Sequence, residues 1–347
     1  MTARPHPAPS PGAVAPDLRW LADAFEQAQR IRLETGERIR AILQRRDDGG
    51  GAANHRIPGR PAVRHGPDDL GLGSNGGPRN GHDGQHGEVV DAESVLDGIR
   101  RGRTDGPVPL LGRTYRRHWE EERELRAAMT HALAHHPAWD WLSGVRGIGP
   151  TLACKLLARL DLARAPTPSS FWAYCGLATV PGVEYACAVC GRRTSVPHHY
   201  QVRGRHTGVD ARPCAGWLER CPDTGVRVAQ PRASAGMRSP YDMRAKKICY
   251  LIGVSFLRSG GLYAQIYHAE RARLARERPG WNPGRCHLAA LRRIEKLFLS
   301  HLWEAWTRAS GRLPIPPFIV ARDPGTRLIP SDAVTHRTGA VAAVHSP

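Results

Sequence analysis

The sequence predicts a mainly α-helical protein: a pair of long helices and a helix-hairpin-helix domain, with a small zinc-binding, β-rich insertion. Three observations support this fold class. Apolar residues recur at helical spacing over several long segments. A cysteine-rich stretch, residues 183–232, has few large apolar side chains and interrupts that pattern. Residues 1–16, 46–111 and 311–347 are rich in Pro, Gly or polar residues, so we expect a disordered N-terminal tail, a flexible linker and an extended C-terminal tail.

Two long helices flank the predicted linker. The first, residues 17–45, begins at Asp17, which can cap it, and carries an apolar stripe that includes Phe25. The second, residues 112–138, has its apolar face marked by Trp119. These helices either pack as an antiparallel pair within one chain or pair between copies as a coiled coil, which would make the protein a homo-oligomer. The sequence leaves both arrangements open.

The remaining helical segments are shorter. A pattern inside the linker, residues 92–100, predicts a short helix, and Ser169 or Ser170 can cap another that ends at Gly176. Residues 233–310 are expected to hold three more helices, at 240–260, 261–278 and 286–309.

The centre of the predicted fold is a hairpin within residues 139–182, in the stretch WDWLSGVRGIGPTLACKLLARL. Pro150 stands where a first helical position would be, since its missing N–H costs nothing there. The amide groups at such a helix start attract phosphate, and glycines let a DNA backbone approach closely. The alternative is an ordinary corner between two helices. The predicted DNA-contacting residues of the hairpin are Gly144, Arg146, Gly147, Ile148, Gly149, Thr151 and Lys155.

The charge of the chain indicates a polyanionic partner. The net charge is +18 and the isoelectric point is near 10.4, with arginine supplying most of the positive charge. This balance is typical of nucleic-acid-binding proteins, so we expect DNA as the partner, with RNA as an alternative. A bias toward Arg, Ala, Gly and Pro from GC-rich coding is the competing explanation.

The sequence also constrains where the protein acts. An uninterrupted run of about 18 apolar residues, as a membrane span requires, does not occur, and the N-terminal residues lack the apolar segment of a secretory signal. We therefore expect a cytoplasmic protein without a membrane partner. In that compartment the eight cysteines are expected to be thiols or metal ligands rather than disulfides.

A structural zinc site is predicted from four cysteines in the insertion. Cys187 and Cys190 have the two-residue spacing of a zinc knuckle, and Cys214 and Cys221 follow after an arginine-rich loop. The six residues between the second pair are more than a knuckle has, so a histidine is an alternative fourth ligand. A redox CxxC is the competing interpretation. Its arginines make the insertion either a second nucleic-acid contact or a solvated surface loop. The alternative histidine ligands are His198, His199 and His206.

The hairpin and the aromatic stretch after it, GVRGIGPTLACKLLARL and FWAYCGLATVPG, resemble the C-terminal domain of a transposase family. This family comprises the insertion-sequence transposases of the IS one-ten / one-sixteen / nine-oh-two group, to which the Piv-type DNA invertases are related. The resemblance covers residues 17–45 and 112–310. It implies that a later basic helix contacts DNA, with Arg244, Lys246 and Lys247 as the contacting residues.

Two departures from this family concern catalysis. The family's RuvC-like domain, with its DEDD carboxylates and bound Mg²⁺, has no counterpart, because no β-strand pattern surrounds the acidic residues of the linker. Mg²⁺ is therefore not expected as a cofactor of this chain alone. The family also carries a nucleophilic serine after the aromatic stretch. Ser234 and Ser239 are the catalytic candidates by order, but neither has the expected Ser-Gly context.

These features together predict a DNA-binding, transposase-like protein without its own carboxylate domain. Whether it is an enzyme is left open by the sequence. A serine-dependent recombinase and a non-catalytic nucleic-acid-binding adaptor in repair or phage replication are the two alternatives. A separate catalytic protein or a guide RNA is compatible with each of them.

Overall fold

A computed structural model describes residues 17–47, 91–198, 200–202, 205–222, 225–231, 239–315 and 329–335. The predicted N-terminal tail, most of the predicted linker, His199 and Ser234 lie outside the described residues. The described chain divides into a smaller unit, Phe25–Glu124, and a larger unit made of Met1–Ala24 and Leu125–Pro347.

The described residues are mainly helical, as the sequence predicts, and include a small antiparallel sheet. A short 3₁₀ helix, Ser331–Val334, lies within the segment predicted as an extended tail. The helices are α1 (Leu18–Asp47), α2 (Ala92–Arg100), α3 (Pro109–Ala134), α4 (Trp139–Gly144), α5 (Pro150–Leu157), α6 (Pro168–Tyr174), α7 (Met243–Ser259), α8 (Leu262–Glu277) and α9 (Pro283–Ala309). The strands are β1 (Thr179–Ala186), β2 (Arg193–Pro197), β3 (Glu219–Arg220) and β4 (Arg227–Ala229).

In the smaller unit, α1 and α3 run antiparallel within one chain. The Arg32 guanidinium on α1 pairs with the Glu122 carboxylate on α3 at 2.5 Å, and it also donates to the hydroxyl of Tyr115, two turns earlier on α3. Of the two arrangements that the sequence left open, the structure therefore has the pair within one chain. The buried core of this unit consists of Ile39, Leu43, Leu96, Ile99 and Tyr115.

The predicted linker is too long at its C-terminal end. Residues 92–100 do form a helix, α2, and α3 already begins at Pro109. The side chains of Leu96 and Ile99 on α2 are buried against α1 and α3, so this part of the presumed linker contributes to the core. Composition suggested a linker because glycine-rich sequence precedes α2, but two apolar residues on one face are enough to dock a short helix.

The larger unit is built around α9. This helix packs against α4, α6, α7, α8 and the 3₁₀ helix. It is buried along its length, from Cys286 through Phe298 to Trp306. Two indole groups fasten it by long-range hydrogen bonds, because Trp303 donates to the carbonyl of Ala165 at 2.8 Å and Trp172 donates to the carbonyl of Lys296 at 2.9 Å.

The small sheet is centred on β1, which follows α6 after four residues. β2 pairs antiparallel with β1, with Val183 opposite Val196. β3 pairs with the end of β1 and β4 pairs with its start. The sheet begins at Thr179, four residues before the predicted start of the insertion.

Glu295 places a carboxyl group inside the larger unit. Its side chain on α9 is buried, and burial raises the pKa of the carboxyl to about 8 against the opposing effect of Arg292 and Lys246. Cys249 on α7 also faces this carboxyl. The group is therefore protonated in the folded protein at neutral pH.

We expect Glu295→Gln to stabilise the protein at pH 8 and to have little effect near pH 4.5. Between the ordinary pKa of 4.5 and the folded value of about 8, the folded chain holds a proton that the unfolded chain has released. The free energy of unfolding therefore decreases as pH rises through this interval, with a slope of up to about 1.4 kcal/mol per pH unit. Urea unfolding at pH 5 and pH 8 measures this. Glu277→Gln, an exposed carboxylate on α8, is the control, and equal shifts for both variants at both pH values would contradict the assignment.

Candidate metal centre and hairpin

The turn between β1 and β2 holds the first two cysteines of the candidate metal centre. The amide of Cys187 donates to the carbonyl of Arg192 at 2.9 Å, and the amide of Gly191 donates to the carbonyl of Cys187 at the same distance. Gly191 has a φ of +69°, which a glycine adopts without strain. This tight turn brings Cys190 to the same side as Cys187.

A second loop supplies the other two candidate ligands. Thr207 and Pro213 form an isolated antiparallel bridge, and the amide of Cys214 donates to the carbonyl of His206 at 3.0 Å. This closed loop holds His206 and Cys214 side by side. Four potential ligand atoms, from Cys187, Cys190, His206 and Cys214, lie within 4.8 Å of one another.

The geometry of these four residues fits a tetrahedral zinc ion. A zinc ion at about 2.3 Å from each sulfur separates two sulfurs by about 3.8 Å. The sulfurs of Cys187 and Cys214 are 3.9 Å apart, and the sulfur of Cys190 is 3.3 Å from Nε2 of His206. A Cys₃His set is one of the usual donor sets of structural zinc sites. The cluster is therefore compatible with structural zinc.

The four-residue cluster differs from the predicted set, because it contains His206 in place of Cys221. The amide of Cys221 donates to the carbonyl of Glu184 at 2.9 Å, which keeps Cys221 paired alongside β1 beyond the end of β3. The wide spacing between Cys214 and Cys221 was the sequence signal for this outcome. Choosing among the three alternative histidines required the loop closure between residues 206 and 214, which the sequence does not display.

Backbone amides donate hydrogen bonds to the sulfurs of two candidate ligands, Cys187 and Cys214. Hydrogen bonds from the amides of Cys190 and Val189 lower the pKa of the Cys187 thiol. The amide of Gly216 donates to the sulfur of Cys214 at 3.3 Å and lowers its pKa, but burial and the neighbouring thiols of Cys190 and Cys187 outweigh this effect, so the pKa is raised overall. A divalent cation would offset the repulsion among three thiolates.

Gly216 fits closely against the metal centre. A Cβ at this position would lie 2.7 Å from the sulfur of Cys187 and 2.7 Å from a methyl group of Val189. This glycine does not stand out in the sequence by itself, although its place two residues after Cys214 marks it as part of a second knuckle. Any larger residue would displace a ligand or the knuckle itself.

The predicted hairpin joins α4 to α5 through Val145–Gly149 and is anchored from α7. The hydroxyl of Ser255 donates to the carbonyl of Gly147 at 2.7 Å, and Gly147 has a φ of +94°. A Cβ on Gly147 would lie 2.5 Å from the hydroxyl oxygen of Ser259. Gly147 is therefore needed for packing on α7.

The predicted DNA-contacting residues of the hairpin divide between the surface and the interior. Arg146 and Gly149 are exposed and Thr151 is partly exposed. Apart from its two chain neighbours, no described residue lies within 4 Å of the place that a Cβ on Gly149 would take. The others face protein: Ile148 and Lys155 are buried, Gly147 packs on α7, and Gly144 lies against Thr335.

The other predicted DNA-contacting residues lie on α7, and Ser239 precedes it. Arg244 is exposed and pairs with Asp23 at 3.0 Å. The Lys246 ammonium lies over the ring of Tyr241 at 4.4 Å, while Lys247 is exposed. The hydroxyl oxygen of Ser239 accepts from the amide of Tyr241 at 3.4 Å.

Comparison with known protein families, with curated proteins and with solved structures finds no match to this chain.

Within the described residues, no helix has the length and apolar character needed to cross a membrane. The other four cysteines, Cys154, Cys175, Cys249 and Cys286, are buried, as expected for small hydrophobic residues.

We expect one zinc ion per chain, lost on Cys187→Ser and retained on Cys221→Ser. The first variant removes a donor from the four-residue cluster, whereas the second removes a thiol that lies outside it. Native mass spectrometry measures the bound metal directly. Retention of zinc by Cys187→Ser, or its loss from Cys221→Ser, would contradict the assigned ligand set.

Gly216→Ala is expected to weaken zinc binding at least about tenfold, because the new methyl group pushes on the sulfur of a ligand. Ala215→Ser, in the same loop but at an exposed position, should bind zinc like the parent chain. Competition with a chromogenic chelator provides the two affinities. Equal affinities in both variants would show that the close fit at Gly216 is unimportant.

Proposed function

We propose that this protein binds DNA through its hairpin, as a transposase-like protein without its own carboxylate domain. The observation that carries this proposal is the open amino-terminal end of α5. Gly149 leaves this end uncovered by described residues, and the exposed Arg146 belongs to the same five-residue turn. A helix start combined with a nearby guanidinium is suited to a phosphate group.

The turn is packed against the protein interior on its inner side, which favours a rigid contact. Ser255 and Phe256 of α7 lie against Gly147, and Ile148 is buried on the underside. The turn is thus held from within while its outer face stays accessible. A preorganised donor group loses little conformational entropy when it binds a phosphate. Such a contact reads the backbone and carries no sequence information.

The small sheet and the loops that carry the four candidate ligands, within residues 179–229, form what we call the metal module. The metal module supplies a second basic surface. Arg205, Arg212 and Arg220 are exposed on it. The metal centre would fix the loop that carries the first two of these arginines, so they would be presented together. Several phosphate contacts of this kind make binding steeply dependent on salt, because each neutralised phosphate releases counterions.

The transposase lineage rests on the resemblance of the hairpin and of FWAYCGLATVPG. In this structure the tryptophan and the tyrosine of that stretch lie on α6 and attach it to its neighbours. The indole of Trp172 donates to the backbone of α9, and the hydroxyl of Tyr174 donates to the carboxylate of Asp242 at 3.1 Å. These contacts support a role for the stretch in holding the hairpin domain together. A recombinase or a repair adaptor would share the same DNA-binding surface.

Gly149→Leu is expected to weaken binding to duplex DNA about tenfold without unfolding the protein. Gly149 has a φ of −98°, which any residue adopts, and the new side chain would occupy the space where a phosphate approaches. Electrophoretic or anisotropy titrations over a range of salt concentrations measure the effect. The logarithm of affinity should decrease linearly with the logarithm of salt concentration.

Gly147→Ala is the matched comparison, since it should lower the melting temperature by straining the contact with α7. Salt-insensitive binding, or unchanged binding by Gly149→Leu, would contradict the proposal. The same titrations should include RNA and a search for cleaved strands. Cleavage that disappears in Ser234→Ala or Ser239→Ala would assign a serine-dependent recombinase instead.

A further inference from the structure

The larger unit contains a cavity of about 370 Å³ at the C-terminal end of α5, away from the hairpin turn. The segment that leaves α5 forms one part of its wall and α6 forms another. Three arginines line it, namely Arg19, Arg159 and Arg164, and Asp161 is the single acidic residue among the lining residues. The cavity therefore offers an excess of positive charge to a ligand.

Arg159 is the buried element of this cavity. Its side chain is only 8% exposed, and it pairs with Asp23 at 2.5 Å through one terminal nitrogen. Its Nε is buried and has no hydrogen-bond partner among the described residues. A buried donor of a charged group costs free energy when it is left unsatisfied, so a shift of this side chain that brings Nε to a ligand acceptor in the cavity would be favourable.

The acidic groups nearby do not neutralise the cavity. Asp23 is shared, because Arg244 also pairs with it, at 3.0 Å. Asp161 accepts a hydrogen bond from the amide of Ala163 at 2.9 Å. Arg164 is exposed and makes no ion pair within the described part of the chain. The Nε of Arg19 donates to the carbonyl of Ala158 at 3.4 Å, so the terminal nitrogens of Arg19 and the guanidinium of Arg164 remain available to an anion.

The other lining residues include apolar and aromatic side chains. Phe171, Leu160 and Pro240 are among them, and Tyr174 adds a partly exposed ring. Burial and the Asp242 carboxylate raise the pKa of the Tyr174 phenol, so this residue adds no negative charge beside a bound anion. A ligand that satisfies both kinds of lining residue carries a phosphate and a flat, apolar ring.

We propose that this cavity binds one nucleotide, with its phosphate on Arg159, Arg164 and Arg19 and its base against Phe171 and Tyr174. The volume is at the lower end of the range for small-ligand pockets, about 300–1,000 Å³, which suits a single nucleotide. The nucleotide is either the 5′-phosphorylated end of a DNA strand or a free nucleoside monophosphate. The strand-end source rests on the proposed DNA binding, whereas the free nucleotide does not.

The test uses the full chain loaded with zinc and two probes. One is a single-stranded DNA labelled at its 3′ end, with either a 5′-phosphate or a 5′-hydroxyl, and its binding is measured by fluorescence anisotropy. The other is deoxyadenosine monophosphate, measured by calorimetry. Arg164→Ala and Arg19→Ala alter exposed residues and should fold normally, and Arg159→Lys keeps the charge but removes the Nε donor. The control is Arg276→Ala, an exposed arginine on α8 outside the cavity lining.

For a strand end, we expect the parent chain to prefer the 5′-phosphate at least about tenfold, as one strong charged hydrogen-bond pair implies. Arg164→Ala, Arg19→Ala and Arg159→Lys should each reduce or abolish this preference, while Arg276→Ala keeps it. Binding of the free monophosphate that disappears in the same variants supports the cavity with the other source, even if no DNA binds. If no cavity variant changes binding of either probe relative to Arg276→Ala, the proposal is wrong, although hairpin-dependent binding to duplex DNA would leave the proposed function intact.

Discussion

The burial of α9 is the constraint on which the larger unit depends. This helix contacts α4, α6, α7, α8 and the 3₁₀ helix, so its apolar face decides how these elements are arranged. The rings of Phe298 and Phe256 meet edge to face at 5.3 Å between centroids, which joins α9 to α7. The hairpin is in turn held by α7 at Gly147. The packing of α9 against α7 in the core therefore fixes the position of the candidate DNA contact.

The same helix also fixes the base of the metal module. Arg292 on α9 donates to the carbonyls of Leu177 and Ala178 at 2.8 and 2.9 Å, directly before β1 begins. Gln230, just after β4, donates to the carbonyl of Ala173 at 3.2 Å. The base of the sheet is thus held by hydrogen bonds to the helical core, while its tip depends on the four candidate ligands.

The sequence predicted the helices well and the sites incompletely, for a physical reason. Helical periodicity and caps are local, so α2 occurs at the predicted residues and the ends of α7 and α8 lie within three residues of prediction. The fourth metal ligand depends on which loop closes against which strand, and that is a long-range property. The burial of Lys155 and the packing of Gly147 against α7 are likewise set by tertiary structure, which no local pattern reveals. Arg159 was not predicted either, because arginines are abundant throughout this sequence and only its buried Nε distinguishes it.

The two ends of α5 place the two candidate phosphate contacts on one short rigid element. The open end at Gly149 belongs to the hairpin, and the chain leaves the other end through Ala158, Arg159 and Leu160 into the wall of the cavity. Eight helical residues span about 12 Å at 1.5 Å per residue, which is comparable with about three to four steps of duplex DNA at about 3.4 Å each. Because the buried residues Ala153, Leu156 and Leu157 fix α5 in the core, neither contact can shift without the other. A strand held at both ends of this helix would therefore meet a fixed spacing, and this rigidity would favour a defined distance between a strand end and the duplex beside it.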